Sequence, residues 1–505
     1  MHYICGPYSR SYSNMKYGFD NDKYVKIQSD RIKQRIATFG NKLYLEFGGK
    51  LFDDYHASRV LPGFAPDSKL KMLDQMKDDA EIVLVISAVD IEKNKIRSDL
   101  GITYDVDVLR LRDEFLARDF SVNSVVITHY NGQSSADAYR ARLERMGIKV
   151  YYHHTIEGYP NNVALIDSEE GFGKNDYVET TKPLVVVTAP GPGSGKMAVC
   201  LSQLYQENKR GIKAGYAKFE TFPVWSLPLT HPVNIAYEAA TADLDDVNMI
   251  DPFHLDAYGT LAINYNRDIE IFPVMNALFD DIYGETPYKS PTDMGVNMIG
   301  YCISNDDVCR EASLQEIIRR YYTALCNFAE GKGTEQEINK IALLMKRAKI
   351  TPAYRKTTVA AKERLDQCEV ATAAIELEDG TILTAGTSSL LGPSAALLLN
   401  ALKHLAGIAH NVKLIPQTMI EPIQKTKVSY LHGRNPRLHT DEVLVAISMM
   451  SLIDENCKLA LEQLPNLAGA QVHSTVMLSE VDRKTFQKLG IGLTCDPRKK
   501  IKRDL

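Results

Sequence analysis

The sequence predicts an α/β protein with a doubly wound, mostly parallel N-terminal sheet of the Rossmann-like or P-loop-like kind, then a small all-α domain and a C-terminal α+β domain. Three observations predict this fold class. Short β-branched runs alternate with amphipathic stretches from Lys42 to about Gly300, and a glycine-rich loop joins one of these runs to a helix. Beyond this region the sequence has first the apolar spacing of helices and then the pattern of a β-hairpin. Repeated strand–loop–helix–strand units of this length require parallel strands with right-handed crossovers.

Each element of the N-terminal part has its own signal. The strands are short apolar runs bounded by turn residues, and we expect them at residues 43–46, 81–87, 124–128, 149–153 and 184–188. The helices carry apolar residues on one face, and we expect them at residues 68–77, 106–118 and 134–146.

The spacing of apolar residues changes near Asn305 and again after Cys368. Amphipathic spacing predicts helices at residues 312–330, 334–345 and 351–367, the second opened by a capping box at Thr334. Apolar and polar residues alternate before and after a turn at residues 378–380, which predicts a hairpin over residues 370–384. Further helices are expected at 393–406, 441–456 and 479–488, and a strand is expected at 472–478. The predicted domains are 15–304, 305–367 and 368–505, the last with a basic tail, while 1–14 is expected to be a disordered extension or a cloning remnant.

The composition is that of a soluble, enzyme-sized chain of several domains. Its 505 residues carry 59 Lys and Arg against 64 Asp and Glu, and a net charge of −5 provides no strong field for nucleic acid or an anionic membrane. No apolar run approaches the ~18 residues of a membrane span, and no secretory signal opens the chain. The 8 cysteines include no Cys-x-x-Cys pair. We therefore expect a cytoplasmic protein that binds neither nucleic acid nor membrane, of a size at which homo-oligomers are common.

The most informative stretch is the loop that follows residues 184–188. It is the run Ala189-Pro190-Gly191-Pro192-Gly193-Ser194-Gly195-Lys196, and a helical pattern follows it. A strand, a glycine loop, Gly-Lys and a helix are the layout of a phosphate-binding P-loop, in which backbone N–H groups, the helix N-terminus and the lysine attract an anion. The predicted phosphate- or nucleotide-binding residues are Gly191, Gly193, Ser194, Gly195 and Lys196, and Lys196 is also predicted to be catalytic by stabilising developing phosphate charge.

The loop departs from the strict pattern G-x-x-x-x-G-K-[ST]. Pro190 stands at the first glycine, and Met197 stands where a hydroxyl normally binds the magnesium of a nucleoside triphosphate. A nucleotide with Mg²⁺ is therefore one possible cofactor, and whether ATP is bound or hydrolysed stays open. The alternative is a tight strand-to-helix turn with an exposed lysine.

Two further strand ends carry candidate ligand groups. Gly48, Gly49 and Lys50 follow the first strand, and Arg59 lies shortly after them; they form either a second part of the anion pocket or a surface turn. His129 follows the strand at 124–128 and is the second predicted catalytic residue, because open α/β sheets bind ligands at the carboxyl ends of their strands.

An acidic stretch over residues 243–256 suggests a cation site. Asp251 and Asp256 are the predicted metal ligands, since carboxylates suit a hard cation such as magnesium. The alternative is that these carboxylates are solvated or cap helices. No His-Glu-x-x-His helix and no Gly-x-Ser-x-Gly elbow occurs in the sequence.

Four stretches together resemble a bacterial family known as domain of unknown function eighteen forty-six, an uncharacterised protein family of the UPF type. They are Met15-Lys16-Tyr17-Gly18-Phe19-Asp20, Glu46-Phe47-Gly48-Gly49-Lys50-Leu51, the run from His56 to Gly63, and the run from Ala189 to Lys196. The resemblance covers the chain from Met15 to about Pro497 and implies the same three-part layout. Some family members carry an ATP-dependent peptidase label, for which this sequence contains no protease motif.

Two functions follow from these observations. The first is an enzyme, for phosphoryl transfer or another phosphate substrate, that binds a nucleotide or a phosphorylated small molecule through the degenerate P-loop from Pro190 to Lys196. The second is a multi-domain binding or scaffold protein in which the glycine loop is structural.

Overall fold

The computed structural model describes residues 17–49, 51–52, 54–97 and 100–497, which form two compact units. The first unit ends at Ser313 and the second begins at Leu314. The division falls within one helix of the region predicted as all-α, so the helices of residues 305–367 are shared between the units.

The first unit alternates strands and helices along the chain. Its strands are β1 (Leu43–Phe47), β2 (Ala80–Ser87), β3 (Ile96–Arg97), β4 (Ile102–Thr103), β5 (Ser121–Tyr130), β6 (Lys149–His154), β7 (Leu184–Thr188), β8 (Gly215–Phe219), β9 (Asn248–Ile250), β10 (Ile263–Tyr265) and β11 (Gly295–Val296). Its helices are α1 (Asn21–Thr38), α2 (Tyr55–Val60), α3 (Ser68–Asp74), α4 (Ala88–Glu92), α5 (Tyr104–Leu116), α6 (Ser134–Arg145), α7 (Val163–Ile166), α8 (Lys196–Lys209), α9 (Pro232–Ala240), α10 (Pro252–Tyr258), α11 (Asn266–Tyr283) and α12 (Pro291–Met294), and α13 (Asp306–Ala329) begins here.

A seven-stranded sheet organises this unit. Its strand order is β11-β8-β1-β7-β2-β5-β6, and every neighbouring pair is parallel. Every residue of β1, β2, β7 and β8 is buried, as expected for a parallel sheet covered on both faces. The predicted α/β class and the doubly wound parallel sheet are confirmed.

The second unit contains a four-stranded mixed sheet with helices against it. Its strands are β12 (Thr372–Glu376), β13 (Ile382–Gly386), β14 (Gln471–Ser474) and β15 (Gly492–Cys495), in the order β13-β12-β14-β15. Only β14 and β15 pair in parallel. Its helices are α14 (Glu335–Arg347), α15 (Lys356–Cys368), α16 (Pro393–Leu405), α17 (Gln417–Lys425), α18 (Thr440–Met450), α19 (Glu455–Glu462) and α20 (Glu480–Lys488). The predicted C-terminal α+β domain is thus confirmed, with α15 and α16 packed on the sheet.

One predicted helix of this unit is wrong. The single helix expected at 441–456 is two helices, α18 and α19. The break occurs because the side chain of Asp454 accepts hydrogen bonds from the backbone N–H groups of Asn456 and Cys457 and so starts a new helix.

Candidate functional site

The topology of the parallel sheet creates a crevice at the carboxyl ends of its central strands. From β1 the chain continues to β2, which lies on one side of β1, with the later strand β7 between them. From β7 the chain crosses in the opposite direction, past β1, to β8. Right-handed crossovers that travel in opposite directions lie on opposite faces of the sheet. The ends of β8, β1, β7 and β2 therefore form the kind of switch point at which open α/β sheets bind ligands.

The glycine loop after β7 lies in this crevice and is held by its own contacts. The buried Ser194 donates from Oγ to the carbonyl oxygen of Gly191 at 2.5 Å. Thr128 at the end of β5 donates from Oγ1 to the carbonyl oxygen of Ser194 at 2.6 Å. Gly193 and Gly195 have φ of 74° and 84°, in the left-handed region where glycine is favoured. The predicted loop residues are thus brought together as one turn, and Ser194 Oγ serves as a donor within it.

Tyr104, the first residue of α5, closes one side of the loop. A Cβ placed on Gly191 would overlap the Tyr104 hydroxyl and would lie 2.8 Å from its Cζ. The Tyr104 side chain is 7% exposed, and its hydroxyl makes no hydrogen bond to any described residue. The Tyr104 hydroxyl is therefore a donor beside Gly191 that no described residue uses.

Helix α8 begins directly after the loop. Its N-cap is Gly195, which has no side chain to accept from the first-turn N–H groups, and it runs for 14 residues from Lys196. A helix N-terminus with uncapped N–H groups carries partial positive charge and favours an anion. No hydroxyl follows the lysine, because Met197 occupies that position.

Among the described residues the ammonium group of Lys196 makes neither a hydrogen bond nor an ion pair. Burial lowers the pKa of Lys196, the carboxylate of Glu46 acts in the opposite direction, and the nearby cation of Lys218 lowers the pKa further. A half-buried cation that lacks a paired anion fits a site that takes an anionic ligand.

A second group of charged residues, which we call the β8 cluster, lies at the carboxyl end of β8. It consists of Lys218, Glu220, Tyr265 and Asp268. The ammonium group of Lys218 donates to the Tyr265 hydroxyl and to the Asp268 carboxylate, and its Nζ lies 3.0 Å from Glu220 Oε1. Burial raises the pKa of Glu220 to about 7, with Lys218 opposing that shift and Asp268 adding to it. The crevice therefore holds a carboxyl group that titrates near neutral pH.

Sequence reasoning missed the β8 cluster. Residues 215–219 read Gly-Tyr-Ala-Lys-Phe, which lacks the β-branched run of a typical central strand. The available signal was Lys218, since a lysine between apolar residues of a buried strand needs an anionic partner.

The second predicted anion pocket is only partly assembled. Lys50 lies outside the described residues, and Arg59 is half-buried on α2. A Cβ on Gly49 would lie 3.4 Å from Nζ of Lys69, a residue of α3 that the sequence did not single out. Lys69 is buried and paired with Asp54 at 2.8 Å, and Gly48 donates its N–H to the carbonyl oxygen of Phe219 at 3.3 Å. At the end of β1 the backbone of Gly49 therefore passes close to Lys69, whose charge is neutralised by Asp54.

His129 lies beside the glycine loop, next to Thr128. Its Nδ1 is 3.2 Å from Ser87 Oγ and 3.2 Å from Thr128 Oγ1. Burial lowers the pKa of His129 and so favours the neutral imidazole, while the carboxylate of Asp90 acts in the opposite direction. A neutral ring can accept a proton, as the predicted catalytic role requires.

The two predicted metal ligands have different environments: Asp251 precedes helix α10 as its N-cap, and Asp256 lies within it. Asp251 is fully buried and caps α10, and its oxygens accept hydrogen bonds from His254 N–H at 3.0 Å and Thr292 Oγ1 at 2.6 Å. Asp256 is exposed. Within the described ranges no group of three or more His, Cys, Asp or Glu side chains could hold a metal ion. The capping alternative accounts for Asp251.

Comparisons with other proteins extend over nearly the whole chain. Residues 17–349 match the model for Domain of unknown function DUF1846, N-terminal, and residues 353–503 match the C-terminal model. A UPF0371 protein of Corynebacterium urealyticum is 55% identical over 482 residues, which cover 95% of this chain and 97% of the relative. A UPF0371 protein of Streptococcus uberis is 54% identical over 482 residues, with 95% and 98% covered.

Among the helices of the described residues none combines the length and apolar character needed to cross a bilayer. The predicted resemblance is confirmed by both family models and by the relatives. The chain therefore belongs to the DUF1846 family, whose relatives carry the designation UPF0371.

Proposed function

We propose that this protein is an enzyme that binds a nucleotide or another phosphorylated small molecule at the glycine loop between β7 and α8. The single observation that carries the proposal is the ammonium group of Lys196, which lies at an uncapped helix N-terminus in the crevice and has no hydrogen-bond or ion-pair partner among the described residues. An unpaired, half-buried cation destabilises a fold, and a bound phosphate oxygen removes that cost. The Tyr104 hydroxyl against Gly191 adds a donor on the same loop.

The β8 cluster favours an enzyme over a scaffold. Lys218 is 8% exposed and is surrounded by two carboxylates and a phenol, an arrangement that costs desolvation and that a purely structural sheet does not need. Glu220, with its pKa raised to about 7, exchanges a proton near neutral pH. Lys218 is close enough to Lys196 to lower the pKa of that residue, so the proton-exchanging group and the anion site share one crevice.

The roles we assign follow from this arrangement. Lys196 and the first-turn N–H groups of α8 bind phosphate oxygens, and Lys196 stabilises charge that develops on them. Glu220 or neutral His129 accepts a proton from the group that reacts. Because Met197 replaces the usual hydroxyl, the proposal does not include ATP hydrolysis through the ordinary P-loop metal arrangement.

The test is ligand-induced stabilisation of the purified full-length chain. Pyrophosphate, ATP and sugar phosphates are each added at rising concentration to the wild type, to Lys196→Ala and to the control Lys209→Ala. Lys209 lies at the exposed far end of the same helix, paired with Glu169. At about 100 times Kd a bound ligand stabilises the fold by about 2.7 kcal/mol.

We expect at least one phosphate ligand to stabilise the wild type and Lys209→Ala and to leave Lys196→Ala unchanged. Equal stabilisation of Lys196→Ala would exclude the glycine loop as the site. If no phosphate compound stabilises the wild type, the scaffold alternative gains support instead.

A further inference from the structure

An aromatic stack lies at the carboxyl edge of the same sheet, beside the glycine loop. The rings of Tyr130, at the end of β5, and Tyr152, on β6, are stacked with centroids 3.9 Å apart and planes 7° from parallel. Both hydroxyls donate to Oδ1 of Asp137 on α6 at 2.7 Å. These two bonds to one carboxylate oxygen tie both rings to the same side chain of α6.

The two outer faces of this stack differ. The guanidinium group of Arg140 covers the Tyr152 ring, with Cζ 4.6 Å from the centroid. Over the part of the chain that the structure describes, the only other ring near Tyr130 is His154, which meets it edge-on at 5.7 Å. The Tyr130 side chain is partly exposed. One flat, electron-rich face is therefore held in place and left without a stacking partner.

The chain links this face to the anion site. Thr128, two residues before Tyr130, donates directly to the carbonyl oxygen of Ser194. Two residues span at most about 7 Å. The backbone of Tyr130 is therefore within about 7 Å of Thr128, the residue that contacts the loop that we assign to phosphate, with His129 between them. An aromatic ring at that distance suits the base of a nucleotide, because every base has a π-face that stacks on tyrosine.

We propose, on the basis of the function proposed above, that the ligand of the glycine loop is a nucleotide whose base stacks on Tyr130. Phosphate oxygens occupy the loop and the start of α8, and the ribose spans the region of His129. The contact selects for an aromatic base without specifying which base, since stacking is tolerant of base identity.

The experiment measures affinity by calorimetry on the full-length chain, with ADP, GDP, CDP, UDP and pyrophosphate as probes. Tyr130→Leu removes the ring, and Tyr130→Phe is the matched control that keeps the ring and loses only the hydroxyl. We expect at least one nucleoside diphosphate to bind about tenfold or more tightly than pyrophosphate to the wild type. Tyr130→Phe keeps that advantage, Tyr130→Leu loses it, and pyrophosphate binds all three proteins equally.

Two results would overturn the proposal while leaving the phosphate site intact. One is pyrophosphate binding with no nucleoside diphosphate binding better, and the other is a nucleotide advantage that Tyr130→Leu retains. If neither pyrophosphate nor any nucleotide binds, both the base contact and the proposed function fail. Unchanged pyrophosphate affinity in Tyr130→Leu also shows that the variant is folded.

Discussion

The Oγ1 atom of Thr128 donates a 2.6 Å hydrogen bond to the carbonyl oxygen of Ser194, and this bond joins the end of β5 to the glycine loop after β7. Strand β2 lies between the two strands, so the contact crosses a neighbour to reach the loop. A buried carbonyl that accepts such a bond is fixed in direction, and with it the peptide before Gly195. The conformation of the glycine loop thus depends on a residue remote in sequence.

Thr128→Val tests this dependence, because valine preserves the shape and removes the donor. Leaving the buried Ser194 carbonyl without its partner is expected to lower the free energy of unfolding by ~1–3 kcal/mol and to weaken pyrophosphate binding. Urea unfolding and calorimetry measure the two effects. Thr128→Ser keeps the hydroxyl and serves as the control; a valine variant that behaves like the serine variant in both assays would contradict the prediction.

Gly191→Ala tests the contact with Tyr104. The new Cβ would lie 2.8 Å from Tyr104 Cζ and 3.0 Å from Cε2, and overpacking of this kind costs ~1–3 kcal/mol. Truncating the ring in Gly191→Ala/Tyr104→Leu removes those atoms. The double variant is therefore expected to be less destabilised than the sum of the single variants, as a thermal-unfolding cycle would show. Simple additivity would mean that the two residues do not share this contact.

Glu220→Gln tests how the carboxyl group of the β8 cluster makes the free energy of unfolding depend on pH. Burial raises the pKa of Glu220 to about 7 from an ordinary value of 4.5, so the folded state binds this proton more tightly than the unfolded state does. The free energy of unfolding therefore falls as pH rises from about 4.5 to about 7, by at most about 3 kcal/mol from this group. Urea unfolding across that range should show a smaller fall in Glu220→Gln. The exposed Glu285→Gln is the control, and an identical slope in all three proteins would contradict the prediction.

Asp482→Asn tests a buried carboxylate in the C-terminal unit. Asp482 accepts hydrogen bonds from Thr440 N–H at 2.9 Å and from Ser479 Oγ at 2.7 Å, and its Oδ2 lies 3.0 Å from His439 Nδ1. Burial alone would raise its pKa, but these bonds outweigh burial and hold the pKa of Asp482 well below 3.8.

Two consequences follow for Asp482. The variant is expected to lose ~2–4 kcal/mol of stability at neutral pH. The contribution of the wild-type carboxylate is present above pH 3.8 and is lost as pH falls below it, so the difference between the two proteins narrows in acid. Calorimetry at neutral and acidic pH measures both effects, with exposed Asp441→Asn as the control. A constant difference across pH would contradict this account.

The strand and loop before Lys196 illustrate what sequence patterns predict well. The strand expected at 184–188 has those bounds in the structure, and α8 begins at Lys196. A continuous β-branched run that ends in glycines contains its own start and stop signals. The same logic predicted α14 from Thr334, whose side chain accepts from Glu337 N–H at 3.2 Å. Strand β8 lacked such a pattern and was missed.

The candidate site was predicted only in part, for a different reason. The loop residues and His129 were found because each follows a strand, whereas Tyr104, Lys69 and Glu220 follow no recognised motif. Their roles arise from the strand order, which places β8 and β7 on either side of β1 although the three lie far apart in the chain.

By itself, the sequence determined the α/β class, most elements of the parallel sheet and the existence of one glycine loop with a lysine, because these depend on local periodicity and turn chemistry. Only the tertiary structure decided which residues surround that loop. It gave Lys196 no partner within the part of the chain that the structure describes, placed Tyr104 against Gly191 and joined Thr128 to Ser194. Such pairings depend on strand order and crossover direction, which are settled when the whole sheet buries its faces rather than by any short stretch of chain.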